Sequence, residues 1–492
     1  MALRLKLIMA LLVFFFSAQI LSAQSSWPRF RGVNGTGIAA TDHKLPVTFD
    51  EEKNVLWQAD VSEGHSSPVI WGDRIFLTGK NGDDLETICL NRKTGKIIWR
   101  NTTPKVAKFE RIHAINSQAS PSAVTDGQRV YVYFGSYGLL CYDFAGKEIW
   151  KRPLEKVLPN AFGTAASPIL VKDLLIFSYE NQVESYIEAI NKETGKPVWH
   201  KTRPGFKSSW STPVCWNNNG VDELIVYGVS WLTALDLKDG SDRWAVPGLA
   251  DEPSVTPVIG DGFVFVSSYN MNTNTEVISL PDYSKLLEEY DKNKDGQISF
   301  EEGASNKSVL SRYDADGEGD HPLRLFYGML DTNRDQQISE TEYKILSAWL
   351  GSFEQENGLV AVRPAANPGD KAEIAWRYNL GVPECPSPLY YQGRIYLVKN
   401  GGVATCLDAK TGELKFSGKL GEGGPYYSSP IIGDGKIYVA SARGVVTVFE
   451  AGDSLKILAN NKMPERVMAT PAIVDGKIYV RTKTKLLAFG LK

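Results

Sequence analysis

The twelve residues DKNKDGQISFEE put side-chain oxygens at Asp291, Asn293, Asp295, Ser299 and Glu302, with the backbone carbonyl of Gln297 between them. Positions 1, 3, 5, 7, 9 and 12 of a twelve-residue loop are the spacing that wraps six to eight oxygens round a hard divalent cation. Gly296 stands at position 6, where the chain turns most sharply. Forty residues on, DTNRDQQISETE repeats the plan with Asp331, Asn333, Asp335, Gln337, Ser339 and Glu342. Gln336 replaces the glycine there. A non-glycine residue in a left-handed conformation costs ~1–2 kcal/mol, so two Ca2+ sites are expected, the second about tenfold weaker.

Ile298 and Ile338 occupy position 8 of their loops, where paired loops meet through a short strand. Leu286, Leu287 and Tyr290 precede the first loop, and Leu325, Phe326 and Met329 precede the second. Tyr343, Leu346, Trp349 and Leu350 follow at helical spacing. These apolar flanks read as the core of a small helical unit. The loops and their flanks resemble the EF-hand family. DADGEGD (314–320) lacks the ligand spacing and reads as a solvated acidic linker.

Other reactive residue types form no comparable pattern. His43, His65, His113, His200 and His321 are scattered, and no nucleophile triad, zinc helix or phosphate loop is visible. The N-terminus carries Arg4 and Lys6, an apolar run from Leu7 to Phe16, and small residues ending at Ala23. This is the pattern of a cleaved signal peptide over 1–23, too short in its apolar part to span a bilayer. No cysteine near it would take a lipid anchor, so a periplasmic or secreted chain is expected. Without Arg4 and Lys6 the formal charge goes from −3 to −5; residues 281–357 sum to −9 and the rest to +4. So mild a balance, with no basic cluster, speaks against nucleic-acid binding.

The elements that must carry the loops are strands. Ser/Thr-Pro steps before short apolar strands recur at Pro68, Pro121, Pro168, Pro213, Pro257, Pro388, Pro430 and Pro471. Their spacing is 41 to 53 residues, except for 131 between Pro257 and Pro388, where the preceding interval is 44 and 87 residues are therefore extra. SSPIIGDGKIYVASARGVVTVFEAGDSLKIL (428–458) shows the unit: four strands, the first two joined at an Asp-Gly step suited to a tight hairpin. Asp126-Gly127, Asp261-Gly262 and Asp475-Gly476 repeat that step. The third and fourth strands meet at turns such as NRKTGKIIW (91–99), NKETGKPVW, DLKDGSDRW and DAKTGELKF, with Gly95, Gly195, Gly240 and Gly412 free to take positive φ. An aromatic follows on the fourth strand: Trp57, Trp99, Trp150, Trp199, Trp244, Trp376 and Phe416, with Ile457 in the last copy. One such residue per repeat serves to pack each repeat on its neighbour. Cys89, Cys141 and Cys406 stand where other repeats carry Ala189, Ala234 and Ala488, and so act as small buried groups; only Cys215 and Cys385 are left for a bridge.

Eight four-stranded repeats predict an all-β, eight-bladed β-propeller. The C-terminus supplies three strands, and NVLWQADV (54–61) is an orphan fourth strand that should close the ring. The expected organisation is a signal peptide (1–23), propeller (24–270), an inserted all-α EF-hand pair in blade 5 (271–357) and propeller again (358–492). The Asp-x-x-Thr-Gly-x-x-x-Trp turn and the eightfold repeat resemble the pyrroloquinoline-quinone-type repeat propellers. That family includes quinoprotein alcohol dehydrogenases and the propeller lipoprotein of outer-membrane barrel assembly.

Three function classes compete. The first, favoured here, is an exported calcium-binding scaffold with a protein or glycan partner at a propeller face, monomeric and without a membrane span. The second is a periplasmic quinone-dependent dehydrogenase, which the resemblance implies would hold its cofactor between a tryptophan and a disulfide of adjacent cysteines. No two cysteines are adjacent, so pyrroloquinoline quinone (PQQ) is not predicted and catalysis is not the favoured reading. The third is an outer-membrane assembly component. Glu63, His65, Asn116, Gln118, Lys207, Asp251, Glu252, Glu384, Tyr426, Tyr427, Glu465 and Arg466 are expected at the channel mouth.

Overall fold

The computed structural model describes residues 26–491 except 41–42, 104–111, 155–161, 252, 270–280, 305–322, 324–326, 328–329, 352–357 and 368, and not the side chains of 346 and 348–351. The signal-peptide segment, Glu252, the acidic stretch 314–320, Leu325, Phe326 and Met329 lie outside the described residues, as do the side chains of Leu346, Trp349 and Leu350.

Eight antiparallel sheets form the blades of a β-propeller. Blades 1 to 7 span 69–102, 124–153, 169–202, 214–247, 258–378, 389–419 and 431–462. Blade 8 takes three strands from 472–490 and its fourth, Val55–Asp60, from the other end of the chain. Trp57 pairs with Ala488 and Gln58 with Leu487, so the sheet that joins the two ends leaves no open edge between them. Three of the four Asp-Gly steps form hairpin turns with both residues at positive φ (Asp261/Gly262, Asp434/Gly435, Asp475/Gly476). In the fourth, only Gly127 is at positive φ, because the Asp126 carboxylate is engaged by Gln128 N (3.0 Å) and Arg129 N (2.9 Å).

The blades lock through their fourth strands. Trp57, Trp99, Trp150, Trp199 and Trp376 each donate the indole N–H to a carbonyl of the next blade, at Arg92, Phe144, Lys192, Leu237 and Ala409, over 2.9–3.2 Å. Each ring also covers a turn glycine: a Cβ on Gly95 would fall 2.5 Å from Trp57, and one on Gly412 2.7 Å from Trp376. Directly across the ladder from each aromatic is a small residue, such as Cys89 from Trp99, Ala189 from Trp199 and Ala488 from Trp57. In blade 7 the register corrects the sequence reading. Ala459, not Ile457, occupies the aromatic position, and the residue facing it grows to Val448. Ile457 is exposed. Trp244 also departs from the pattern, since blade 5 has no Asx-Thr-Gly turn to receive it. Its N–H goes to Glu223 of its own blade at 3.0 Å, and Arg243 Nε and Asn218 Nδ2 bind the same carboxylate.

Around the axis, hydroxyls pass hydrogen bonds from blade to blade. Ser67 N donates to Ser122 Oγ, Ser122 N to Ser167 Oγ and Ser167 N to Thr212 Oγ1. Beyond a gap, Thr256 N donates to Ser387 Oγ, Ser387 N to Ser429 Oγ, Ser429 N to Thr470 Oγ1, and Thr470 N back to Ser67 Oγ, all at 2.9–3.1 Å. The ring explains the Ser/Thr of the repeat and corrects one copy. In blade 2 the ring hydroxyl is Ser122, Ala123 takes the proline position, and Pro121 lies two residues early.

Between Phe263–Ser268 and Gly358–Arg363, the paired second and third strands of blade 5, the chain leaves the sheet. The described part of this excursion contains helices Tyr283–Tyr290 and Glu340–Gly351 and a two-residue strand pair, with Ile298 opposite Ile338. Tyr283, Leu286, Tyr290, Leu323, Tyr327 and Leu330 pack with those isoleucines into a separate small core.

Candidate functional site

Two regions bring chemistry-bearing residues together. The first is a funnel of about 260 Å³ on the propeller axis, floored by the hydroxyl ring. Loops entering the first strand of each blade form its wall, and hairpins joining second and third strands emerge at the same end. The insert therefore leaves the propeller on the funnel's face, and Tyr269, beside its point of departure, lines the funnel. Of the residues expected there, His65, Asn116, Glu384 and Tyr427 line it. Glu63, Gln118 and Arg466 instead line a polar cleft of about 740 Å³ toward blades 8, 1 and 2, which His65 and Asn116 also touch. Tyr426 is buried, with its hydroxyl on Glu422 O, and Glu465 is held by Thr482 and Thr484. Lys207 and Asp251 do not line the funnel.

Sequence reading missed the funnel's aromatic wall: Phe30, Phe162, Trp210 and Tyr269. Phe162 meets Trp210 edge-on, ring centroids 5.1 Å apart, and the Trp210 N–H is taken by Gly163 O at 2.8 Å. None of these rings belongs to the repeat, so periodicity carried no signal for them. Burial, with the Arg481 and Arg466 cations nearby, pulls the His65 imidazole down to about 4. It is neutral at neutral pH.

Phe30 belongs to an N-terminal plug that sequence reading also missed. Ser26 and Trp27 add to blade 1, Pro28 O accepts from Thr125 N in blade 2, and Asn34 pairs with the backbone of Cys215 in blade 4. Arg31 Nη2 reaches Pro388 O in blade 6 at 2.5 Å, and Gly37 and Ala39 bond to Ile432 in blade 7. The segment thus crosses the axis under the hydroxyl ring. Cys215 is taken up by this contact and Cys385 lines the funnel; none of the five cysteines is in a disulfide.

The second region is the pair of inserted loops, whose hydrogen bonds match atom for atom. Asp291 accepts Asp295 N (3.2 Å) and Gly296 N (3.0 Å); Asp331 accepts Asp335 N and Gln336 N, both at 3.0 Å. Glu302 receives Lys292 N on Oε1 (2.9 Å) and Ser299 N on Oε2 (2.9 Å), and Glu342 receives Thr332 N and Ser339 N likewise, both at 3.0 Å. Asn293 and Asn333 both accept from the aspartate N–H two residues on, at 2.8 Å, and Gln297 N and Gln337 N both donate to Oδ1 of the preceding aspartate at 2.8 Å. Hydrogen bonds from Ser299 and from the backbone hold the Glu302 carboxyl down at about 2. Gly296 is at φ 82° and Gln336 at φ 64°, so the glutamine does adopt the left-handed conformation. Among the described residues no three His, Cys, Asp or Glu side chains gather close enough to grip a metal. The carboxylates instead hold their own loop backbone. The donor set, all oxygen, and the backbone course suit a hard cation.

The residues of the funnel do not reproduce the quinone sandwich, because Cys385 stands there without a second cysteine. Among the described residues no helix is long and apolar enough to cross a membrane.

Solved structures share the fold. A europium-containing methanol dehydrogenase is 12% identical with TM-score 0.58, over 95% of this chain and 98% of that one. BamB from Moraxella catarrhalis is 12% identical with TM-score 0.54, over 89% and 98%. Quinohemoprotein alcohol dehydrogenase from Comamonas testosteroni is 11% identical with TM-score 0.54, over 96% and 82%. No curated protein sequence matches the chain. The family described as outer membrane protein assembly factor BamB matches residues 86–285 and 370–492, about two thirds of the length. The chain, a PQQ-like repeat propeller, belongs to that family.

Proposed function

We propose that this chain is an exported scaffold propeller whose insert is an EF-hand pair holding two calcium ions, and that a protein or glycan partner docks on the face that carries the insert. The observation that carries the reading is the matched hydrogen-bond set of the two loops, joined through Ile298 and Ile338. Asp291, Asn293, Asp295, Ser299, Glu302 and the Gln297 carbonyl would hold one ion; Asp331, Asn333, Asp335, Ser339, Glu342 and the Gln337 carbonyl would hold the other. The bound ion supplies positive charge that lets acidic side chains converge. The chain's own part is to present them: backbone N–H groups already orient Asp291 and Glu302 from opposite ends of the loop.

A scaffold role is supported by membership of the family and by the insert's place on a rigid ring. Extracellular modules bind calcium at ~10⁻⁴–10⁻³ M, so the ions would be resident and would stiffen the insert rather than signal. Scanning calorimetry with calcium and with chelator tests this. Calcium should raise a transition belonging to the insert in the wild type and less so in Glu302→Gln, while the propeller transition stays put. A thermogram indifferent to calcium in both proteins would refute the proposal.

A further inference from the structure

The floor of the funnel is polarised in a way that the blades and the insert leave unused. Seven of the ring hydroxyls accept a backbone N–H from a neighbouring blade. Among the described residues none of the eight donates to a protein acceptor. A hydroxyl has one hydrogen to give, and here it is left for whatever occupies the axis. Just beneath, the plug carries Arg29 and Arg31, which are 5% and 0% exposed. Nε and Nη2 of Arg29, and Nε and Nη1 of Arg31, have no partner, and neither guanidinium pairs with a carboxylate among the described residues. Burial lowers Arg29 to about 10; burial and the neighbouring Arg29 charge lower Arg31 to about 9. Arg31 is moreover held at φ 60°.

Burying two like charges without a counter-ion is costly. Capping the carbonyl of Pro388 needs one N–H donor, not two cations. What the pair does supply is a positive field at the base of the funnel, little screened because both guanidiniums are buried. Phe30, between Arg29 and Arg31 in the plug, also lines the funnel, and above the ring the wall turns apolar, with Phe162, Trp210, Tyr427 and Met468. Among the described residues no Lys or Arg lines the funnel, and the one carboxylate there, Glu384, accepts from Asn400 Nδ2 at 3.3 Å. A second anionic group on a ligand would meet that carboxylate. The volume, about 260 Å³, lies just below the ~300–1,000 Å³ of sites for drug-sized ligands, so one ring fits better than several.

We propose that the funnel binds a small aromatic monocarboxylate, its carboxylate seated on the hydroxyl ring above Arg29 and Arg31 and its ring against Phe162 and Trp210. Titration calorimetry of the full chain with benzoate, benzyl alcohol, benzylammonium and phthalate tests it. Benzoate should bind one-to-one and at least tenfold more tightly than the other three. Arg31→Met should weaken benzoate about tenfold and leave benzyl alcohol unchanged. Should that variant fail to fold, Thr470→Val, which removes one floor hydroxyl, should weaken benzoate about threefold. The proposal is overturned if benzylammonium or benzyl alcohol binds as well as benzoate, or if benzoate shows no saturable binding up to about 10 mM.

Discussion

Replacing Gly95 with alanine isolates the contact that locks blade 8 to blade 1. The backbone there is at φ 71°, which costs an L-residue ~1–2 kcal/mol. The new Cβ would lie 2.5 Å from Trp57 Cε3 and 2.8 Å from Cδ2. The indole must then move away, giving up its 3.0 Å bond to Arg92 O, which contributes ~1 kcal/mol. Disturbing a close-packed contact adds ~1–3 kcal/mol. The sum is ~3–6 kcal/mol. Gly82→Ala is the control, because Gly82 has nearly the same φ, 58°, with nothing within 4 Å of its Cβ position. It should cost only the ~1–2 kcal/mol of backbone strain. In a Trp57→Ala background the clash is gone, so Gly95→Ala should fall to the same value and the double-mutant coupling should be ~2–4 kcal/mol. Urea unfolding of the four proteins and the parent, followed by the midpoint at constant slope, reads these differences. Equal costs for Gly95→Ala and Gly82→Ala, or additive behaviour of the pair, would refute the docking argument.

A glycine at position 336 removes the left-handed strain seen at φ 64°, so Gln336→Gly should tighten the proposed second calcium site about tenfold in a calcium titration. His65 is depressed from 6.5 to about 4 in the folded chain; its contribution to stability is therefore full above pH 6.5 and is lost as pH falls through 6.5 toward 4. His65→Gln should flatten the stability profile in that window by on the order of 2 kcal/mol in chemical denaturation, and an unchanged slope would show that other groups dominate. Since none of the five cysteines is in a disulfide, reductant should leave the melting temperature unmoved.

Most of the architecture was legible because each blade must satisfy the same packing problem. The strand order, the Asx-Thr-Gly turns and the closing strand at Trp57 all follow from residues that recur. Legibility failed where one residue compensated for another. Blade 7 exchanges a large-on-small pair for Val448 facing Ala459, a balanced swap that a search for aromatics cannot see. Blade 2 keeps the ring hydroxyl at Ser122 but shifts the proline. Blade 4 redirects Trp244 to Glu223 because its neighbour lacks the receiving turn. The funnel was legible only in its polar rim. Its aromatic wall and the plug with Arg29 and Arg31 come from segments that occur once, and a non-repeated Arg, Gly or Phe carries no positional signal until the ring closes round it.

The proposed function rests on the insert, and isothermal titration with calcium tests it most directly. Two saturable sites separated by about tenfold in affinity, with the tighter one lost in Glu302→Gln and the weaker in Glu342→Gln, is the expected result. Heats that stay flat to millimolar calcium, or that are untouched by both substitutions, would contradict it.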